Sequence, residues 1–382
     1  MPPFLAAQAS APGKVILFGE HAVVYGIPAI AMAVSDLRVS TRVTFGGDPN
    51  VVVSLLNLTS MQDTLPLSRT WSLTSIKAAF LGVDIASPDT FLPRPSAAIT
   101  AALGKFLSGQ HPKDANALRP ALFLVLAILP DLLDQSLGVR IQVTSGEFPL
   151  GAGLGSSAAF CVSVAAALLR SRSSDVLLST INAHAFAAEV LLHDDPSGVD
   201  NTVSTYGGAI LYEKSPQSMS FLQDLPTLRF LVTNTNVPRE TKVLVANVRA
   251  LHTADPAFVN ARFQAIHEIV SSFQQQVGTD AATAFSPAAF QAMIARNQTL
   301  LADVGVSHPA IETVVKLAGP DLPTKLTGAG GGGCTITYIP EHTDEAVVLA
   351  LKANLAKEGF TVIETVLGGH GVKVAALANV EA

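Results

Sequence analysis

The sequence predicts an α+β chain of two domains, and three observations carry that reading. Its 382 residues exceed one typical domain. Hydrophobic residues make up 49% of it and charged residues 14%, which excludes a disordered chain and supplies a large buried core. The last fifty residues read as strand, helix, strand: Cys334 to Ile339, a helix around Thr343 to Lys357, then Val362 to Leu367.

The other elements follow in chain order. Lys14 to Phe18 reads as a buried strand interrupted by Gly19. Arg38 to Phe45 and Val51 to Leu56 carry the β-branched and aliphatic residues of strands. Residues 57–120 are less regular and predict an insertion with one or two helices, one of them around Ala97 to Leu107. Ala121 to Leu129 is apolar on all sides, a buried helix that ends or kinks at Pro130. Val139, Ile141 and Val143 alternate with polar residues as a half-buried strand does. Helices are expected over Ser156 to Arg170 and Ile181 to Leu192, a strand over Leu228 to Thr233, and amphipathic helices around Ala257 to Gln276 and Pro287 to Val304.

Composition also excludes whole classes. A net charge of −6 gives no bulk attraction to nucleic acid, so any phosphate must be held by a local site. The longest apolar run has nine residues, Ala121 to Leu129, against the about 20 that a membrane helix needs. Met1 to Ser10 has no basic residue, so no signal peptide is expected. Cys161 and Cys334 show no metal-ligand spacing, and a reduced, cytoplasmic protein is the natural expectation.

Three glycine-bearing segments stand out. Pro149-Leu150-Gly151-Ala152-Gly153-Leu154-Gly155-Ser156-Ser157 lies between a strand and a buried helix. Its glycines let backbone N–H groups approach a ligand, and the serines fall where a helix dipole meets an anion. A polyphosphate is the expected occupant. No lysine follows as in a Walker loop, and G-x-G-x-G is not the dinucleotide spacing, which speaks against a dehydrogenase. The second segment, Lys325 to Cys334, has five glycines in six positions and reads as a packed turn between apolar stretches. In the third, Ala11-Pro12-Gly13-Lys14 precedes Gly19-Glu20-His21-Ala22-Val23-Val24-Tyr25-Gly26, placing charges in apolar sequence where they need partners or a cleft.

In this order the three segments resemble the galactokinase–homoserine kinase–mevalonate kinase–phosphomevalonate kinase superfamily. The third segment, Ala11-Pro12-Gly13-Lys14 through Gly19-Glu20-His21 to Gly26, is similar to that of its mevalonate kinase branch, as are Pro196-Ser197-Gly198-Val199-Asp200-Asn201 and Lys325 to Cys334. Galactokinases instead continue with Thr-Asp after Gly-Glu-His. The resemblance runs from about residue 9 to about residue 375. It implies an active-site cleft between an N-terminal α+β domain, residues 1–230 with a helical insertion at about 57–135, and a ferredoxin-like α+β domain, residues 231–382. It implies ATP-dependent phosphorylation of the C5 hydroxyl of mevalonate, an early step toward isoprenoids and sterols, with phosphomevalonate or homoserine kinase as the alternative. A non-catalytic sensor would carry damage at Ser156-Ser157 or Asp200, and neither is damaged.

Roles follow from the same resemblance. Pro149, Gly151, Ala152, Gly153, Leu154, Gly155, Ser156 and Ser157 hold ATP, with Gly328 and Gly330 in support. Ser157 and Glu189 are the Mg²⁺ ligands. Asp200 accepts or orients the proton of the hydroxyl, with Lys14 beside it. Lys14, Glu20, His21, Asp200, Arg239 and Thr241 form the mevalonate site, Arg239 being the cation for its carboxylate. The low charge content leaves apolar surface to cover and predicts a homodimer, and the resemblance implies feedback by prenyl diphosphates competing at the ATP site. One departure is Asp194-Asp195, where the branch carries a small or neutral pair. The remaining histidines read as structural or surface residues.

Overall fold

A long antiparallel pair organises the fold. β1 (Ala7–Phe18) runs against β2 (Ala29–Phe45), which is buried on both faces as far as Val34 and alternates beyond Leu37. The structure is a computed structural model and describes residues 4–85, 94–277 and 284–377. Both strands begin earlier than the pattern suggests, because Ala7 to Gly13 and Ala29 to Val34 are small or apolar residues that signal burial without signalling a period.

The hairpin β3 (Asn50–Thr59) and β4 (Pro66–Ser72) follows, then α1 (Leu73–Ala79), α2 (Ala97–Phe106) and α3 (Pro112–Ile128). The insertion thus contains a hairpin as well as helices. Asp114, in the first turn of α3, holds that hairpin by accepting from Ser60 Oγ at 2.8 Å and Met61 N at 3.1 Å. The apolar helix reaches back to Pro112 and carries Pro120 inside it, giving up one backbone rung in a segment packed on all sides.

β5 (Val139–Thr144) leads through the first glycine turn to α4 (Ser156–Arg172), then α5 (Leu178–His193) and α6 (Val199–Tyr206). Next come the hairpin β6 (Ala209–Lys214) and β7 (Gln217–Leu222), β8 (Leu228–Asn234), and helices α7 (Thr241–Ala254), α8 (Pro256–Gln274), α9 (Pro287–Asp303) and α10 (Pro309–Ala318). β9 (Thr324–Leu326), β10 (Cys334–Tyr338), α11 (Glu345–Lys357), β11 (Thr361–Leu367) and β12 (Lys373–Ala376) complete the described chain.

One mixed sheet runs in the order β4-β3-β5-β2-β11-β8-β10-β9. β1 joins β2 to β12, so the sheet crosses residue 230, where the domain boundary was expected. β2 meets β11 through the single pair Val34 and Leu367. α4 packs on β1 and β2, with α3, α5 and α6 around it. Its first turn, beside β1, is therefore held by the main core.

Candidate functional site

β1 brings the Lys14 segment and the 149–157 turn together. Lys14 and Ile16 point to the same side of the strand by period two and line an open cleft. Lys14 N–H donates to the Leu154 carbonyl at 2.8 Å, so the 145–155 turn rests on this strand. Only glycine fits at 13, because a Cβ there would meet the Phe148 ring and the Leu154 carbonyl. Gly155 is the N-cap of α4 at φ 70°, a left-handed conformation that suits glycine. It starts α4 with its free N–H groups, and Ser156 and Ser157, on the cleft.

α6 supplies the carboxylate. Asp200 lies in the first helical turn after Gly198, not in the Pro-Ser-Gly turn itself. Its Oδ1 is 3.2 Å from Lys14 Nζ. α5 supplies Glu189, which is 3% exposed and lies behind the cleft-lining Ser157 and His193. Burial is the main cause that raises its pKa to about 7, and the Asp200 charge adds to it. Hydrogen bonds from Ser157 and Cys161 act the other way. A buried carboxylate beside a serine hydroxyl is short of positive charge, and two oxygen donors suit Mg²⁺, which keeps waters and phosphate oxygens. That donor set fits the ion. No cluster of three or more His, Cys, Asp or Glu that could hold a metal occurs among the described residues.

The second glycine segment forms the opposite wall with Gly328 and Ala329. Arg239 projects between the two glycine segments: a Cβ on Gly153 would fall inside its guanidinium, and one on Gly328 would lie 3.0 Å from Nη1. Arg239 has no hydrogen-bond or ion-pair partner among the described residues and faces the cleft. Thr241, at the start of α7, stands next to it. His21 lines the cleft in a left-handed conformation, φ 57°, and donates from Nε2 to the Ala329 carbonyl at 2.8 Å. Burial lowers its pKa, so it is neutral at pH 7.

Several expected residues sit elsewhere. Glu20 is one layer behind the cleft, 1% exposed, in an ion pair with the fully buried Lys325. Gly330 packs on the Val306 carbonyl rather than on the cleft. Leu154 contributes backbone, its side chain being in the core, while Pro149 and Ala152 are half-buried beside the turn and outside the lining. Asp195 is exposed and its carboxylate is paired with Arg94, which also donates to the Asp194 backbone carbonyl.

His193 is the residue that the sequence reading passed over. It lines the cleft, and its Nε2 is 3.1 Å from Ser157 Oγ and 4.0 Å from Glu189. Its signal was the i, i+4 spacing from Glu189, which puts both on one face of α5. A second, apolar crevice lined by Val39, Leu55, Leu58, Val143, Phe160 and Leu192 meets the polar cleft at Ser156 and Ser157. The arrangement offers a flat apolar group, an anion and an alcohol one continuous path.

Residues 116–208 match the GHMP kinases N terminal domain and residues 280–357 match GHMP kinases C terminal. The chain is 36% identical to mevalonate kinase of Mus musculus over 98% of its own length and 96% of that protein. It is 34% identical to mevalonate kinase of Schizosaccharomyces pombe over 96% and 91% of the two chains. Among solved structures, Methanococcus jannaschii mevalonate kinase superposes with a TM-score of 0.68 at 22% identity, covering 94% of this chain and 97% of the other. The L. major mevalonate kinase in complex with R-mevalonate gives 0.68 at 20% identity, covering 95% and 96%.

Proposed function

Because the chain belongs to the mevalonate kinase family of GHMP kinases, we infer that this cleft moves the γ-phosphoryl group of ATP to the C5 hydroxyl of mevalonate. The observation that carries the mechanism is the Lys14–Asp200 pair at the point where the α4 N-terminus faces the Ile16, His21 and Thr241 wall. The adenine is assigned to the apolar crevice and the phosphates to the N–H groups of the glycine turn and α4. The acceptor lies against Ile16, His21 and Thr241, with its carboxylate on Arg239, a cleft cation with no hydrogen-bond or ion-pair partner among the described residues.

Asp200 then receives or orients the hydroxyl proton. Lys14, 3.2 Å from that carboxylate, offers positive charge to the reacting oxygens. A loose transition state asks mainly for position and charge, which suits a rigid cleft with fixed cations. Ser157 and Glu189 would hold Mg²⁺, which when bound neutralises charge on the phosphates. The test is ADP release from MgATP with mevalonate, phosphomevalonate or homoserine as acceptor. Release is expected with mevalonate, and release confined to either alternative overturns the reading.

Finer parts of the reading are also proposals. The division near residue 230 separates the nucleotide side from the half that carries Arg239 and the second glycine segment. A crevice that is apolar beside an anion-binding turn suits a prenyl diphosphate as competitor of ATP. Two free buried cysteines support a cytoplasmic location, and no described helix is long and apolar enough to cross a membrane.

A further inference from the structure

Thr327 touches neither crevice nor cleft, being 1% exposed, yet it is tied to the strand that carries the chemistry. Its Oγ1 accepts from Ile16 N–H at 3.0 Å and donates to the Ile16 carbonyl at 3.0 Å. One hydroxyl therefore satisfies both backbone groups of Ile16, as a neighbouring strand would. It does so where β1 shifts register against β2, between Ile16 and Phe18. The residues on either side repeat the connection: Lys325 pairs with Glu20, and the Ala329 carbonyl takes the His21 N–H. Three ties within five residues thus join 325–329 to 16–21, across more than 300 positions of sequence.

We propose that Thr327 is a positioning residue for the acceptor alcohol, setting the height of Ile16, and through it Lys14, against Asp200. The proposal rests on the placement of the acceptor against Ile16 and His21 given above. Ile16 and Lys14 are two apart on one strand face, so a displacement of the Ile16 backbone is passed to the ammonium that stands 3.2 Å from Asp200. The α4 turn holds Lys14 from the other side through its own N–H. The nucleotide side is also held by the packing of α4 among α3, α5 and α6, which Thr327 does not touch, so it should move less than the acceptor side.

Thr327→Val keeps the shape and removes the hydroxyl, leaving two Ile16 backbone groups without their partner. The measurement is kcat and both Michaelis constants, with a thermal melt to verify folding. The acceptor constant is expected to rise about tenfold and kcat to fall, because small misplacement of reacting groups is costly, while the MgATP constant stays within about twofold. Thr327→Ser, which restores the hydroxyl without the methyl, should return all three to near wild type. Thr327→Ala, which adds no bulk, should reproduce the Val result if the Val variant does not fold. Equal rises in both Michaelis constants, no rise in the acceptor constant, or no rescue by serine each overturn the proposal. His21→Gln separates the two layers of the argument. If it raises the acceptor constant while the Thr327 variants do not, the strap fails and the acceptor placement stands. If His21→Gln and the Thr327 variants all raise only the MgATP constant, the placement itself is wrong.

Discussion

Lys14 Nζ lies 3.2 Å from Asp200 Oδ1, with the lysine side chain 10% exposed and the aspartate 36% exposed on the cleft floor. The two come from opposite ends of the nucleotide side, one on β1 and one on the first turn of α6. Their meeting is produced by the packing of both elements around α4.

Asp200→Asn removes the charge without opening a cavity, so folding and ATP binding should persist. Turnover should drop at least about 100-fold, the usual size of a proton-transfer role. Single-turnover rates together with nucleotide titration check both halves. A rate within about threefold of wild type would remove Asp200 from the reaction.

Glu189 gives a pH prediction with a definite sign. Its folded pKa of about 7 lies above the ordinary carboxyl value of 4.5, so the folded state keeps a proton that the unfolded state has lost. Without divalent cation, stability should therefore decline as pH rises from 4.5 to about 7 and level off above that. Glu189→Gln should flatten the decline, gaining at most about 3 kcal/mol on the wild type near neutral pH. Denaturant midpoints of the two proteins in chelator, taken across that window, decide it.

The same residue is assigned to Mg²⁺. Glu189→Gln and Ser157→Ala should each raise the Mg²⁺ concentration for half-maximal rate, because an amide or a methyl is a poorer ligand for a hard cation. The double variant should fall short of the sum, since each change loosens the same site. Full additivity with an unchanged Mg²⁺ requirement would place the ion elsewhere.

Gly153→Ala tests the wall between the cations and the turn. The new Cβ would occupy the place of the Arg239 guanidinium at a backbone φ of 89°. The arginine can swing away, so the main loss should be in acceptor binding. Its Michaelis constant should rise about tenfold, the size of one lost charged hydrogen bond. Arg239→Lys, which leaves the backbone untouched, should show the same acceptor defect in steady-state kinetics without the accompanying fall in melting temperature.

Asp194 sits at φ 56° and ψ −55°, where a side chain is unwelcome. Asp194→Gly should raise stability by about 1 kcal/mol or less, strain relief outweighing the extra freedom of glycine in the unfolded chain. The bonds that Arg94 makes here use the Asp194 carbonyl and the Asp195 carboxylate, so both survive the change. A shift of the urea midpoint measures it.

The parts of the site that were legible in the sequence are those whose physics is local. Gly151, Gly153 and Gly155 ahead of Ser156 announce a helix start with open N–H groups, and a lone Glu189 in an apolar helix announces a need for positive charge. Lys14 beside Asp200 needed the family resemblance, because 186 residues separate them and neither has a local pattern. Glu20 was placed in the wall because a charge in apolar sequence needs a cleft or a partner, and Lys325 turned out to be that partner. His193 was passed over because a lone histidine at a helix end looks like any surface residue. In the fold, Gln217 to Leu222 carries only a short alternation, Met219 and Phe221 among serines, and is largely exposed, so β7 is a strand by its pairing with β6. α7 begins directly after the Arg239 loop with no side-chain cap, so nothing in the sequence marks its start.

The seam between 16–21 and 325–329 also sets a timetable for biosynthesis. While a ribosome is still adding residues before Lys325, β1 has neither the threonine that completes Ile16 nor the lysine that neutralises Glu20. The Ala7–Ser10 edge of β1 waits longer still, for Lys373–Ala376. An emerging chain can pack α4 on β1 and β2 early, yet it carries an open sheet edge and an uncompensated carboxylate until Lys325 and then Lys373–Ala376 have been added. Such contacts of high sequence separation form slowly. The nascent protein is therefore most exposed to aggregation and to chaperones in that interval, and competent to turn over substrate only after it.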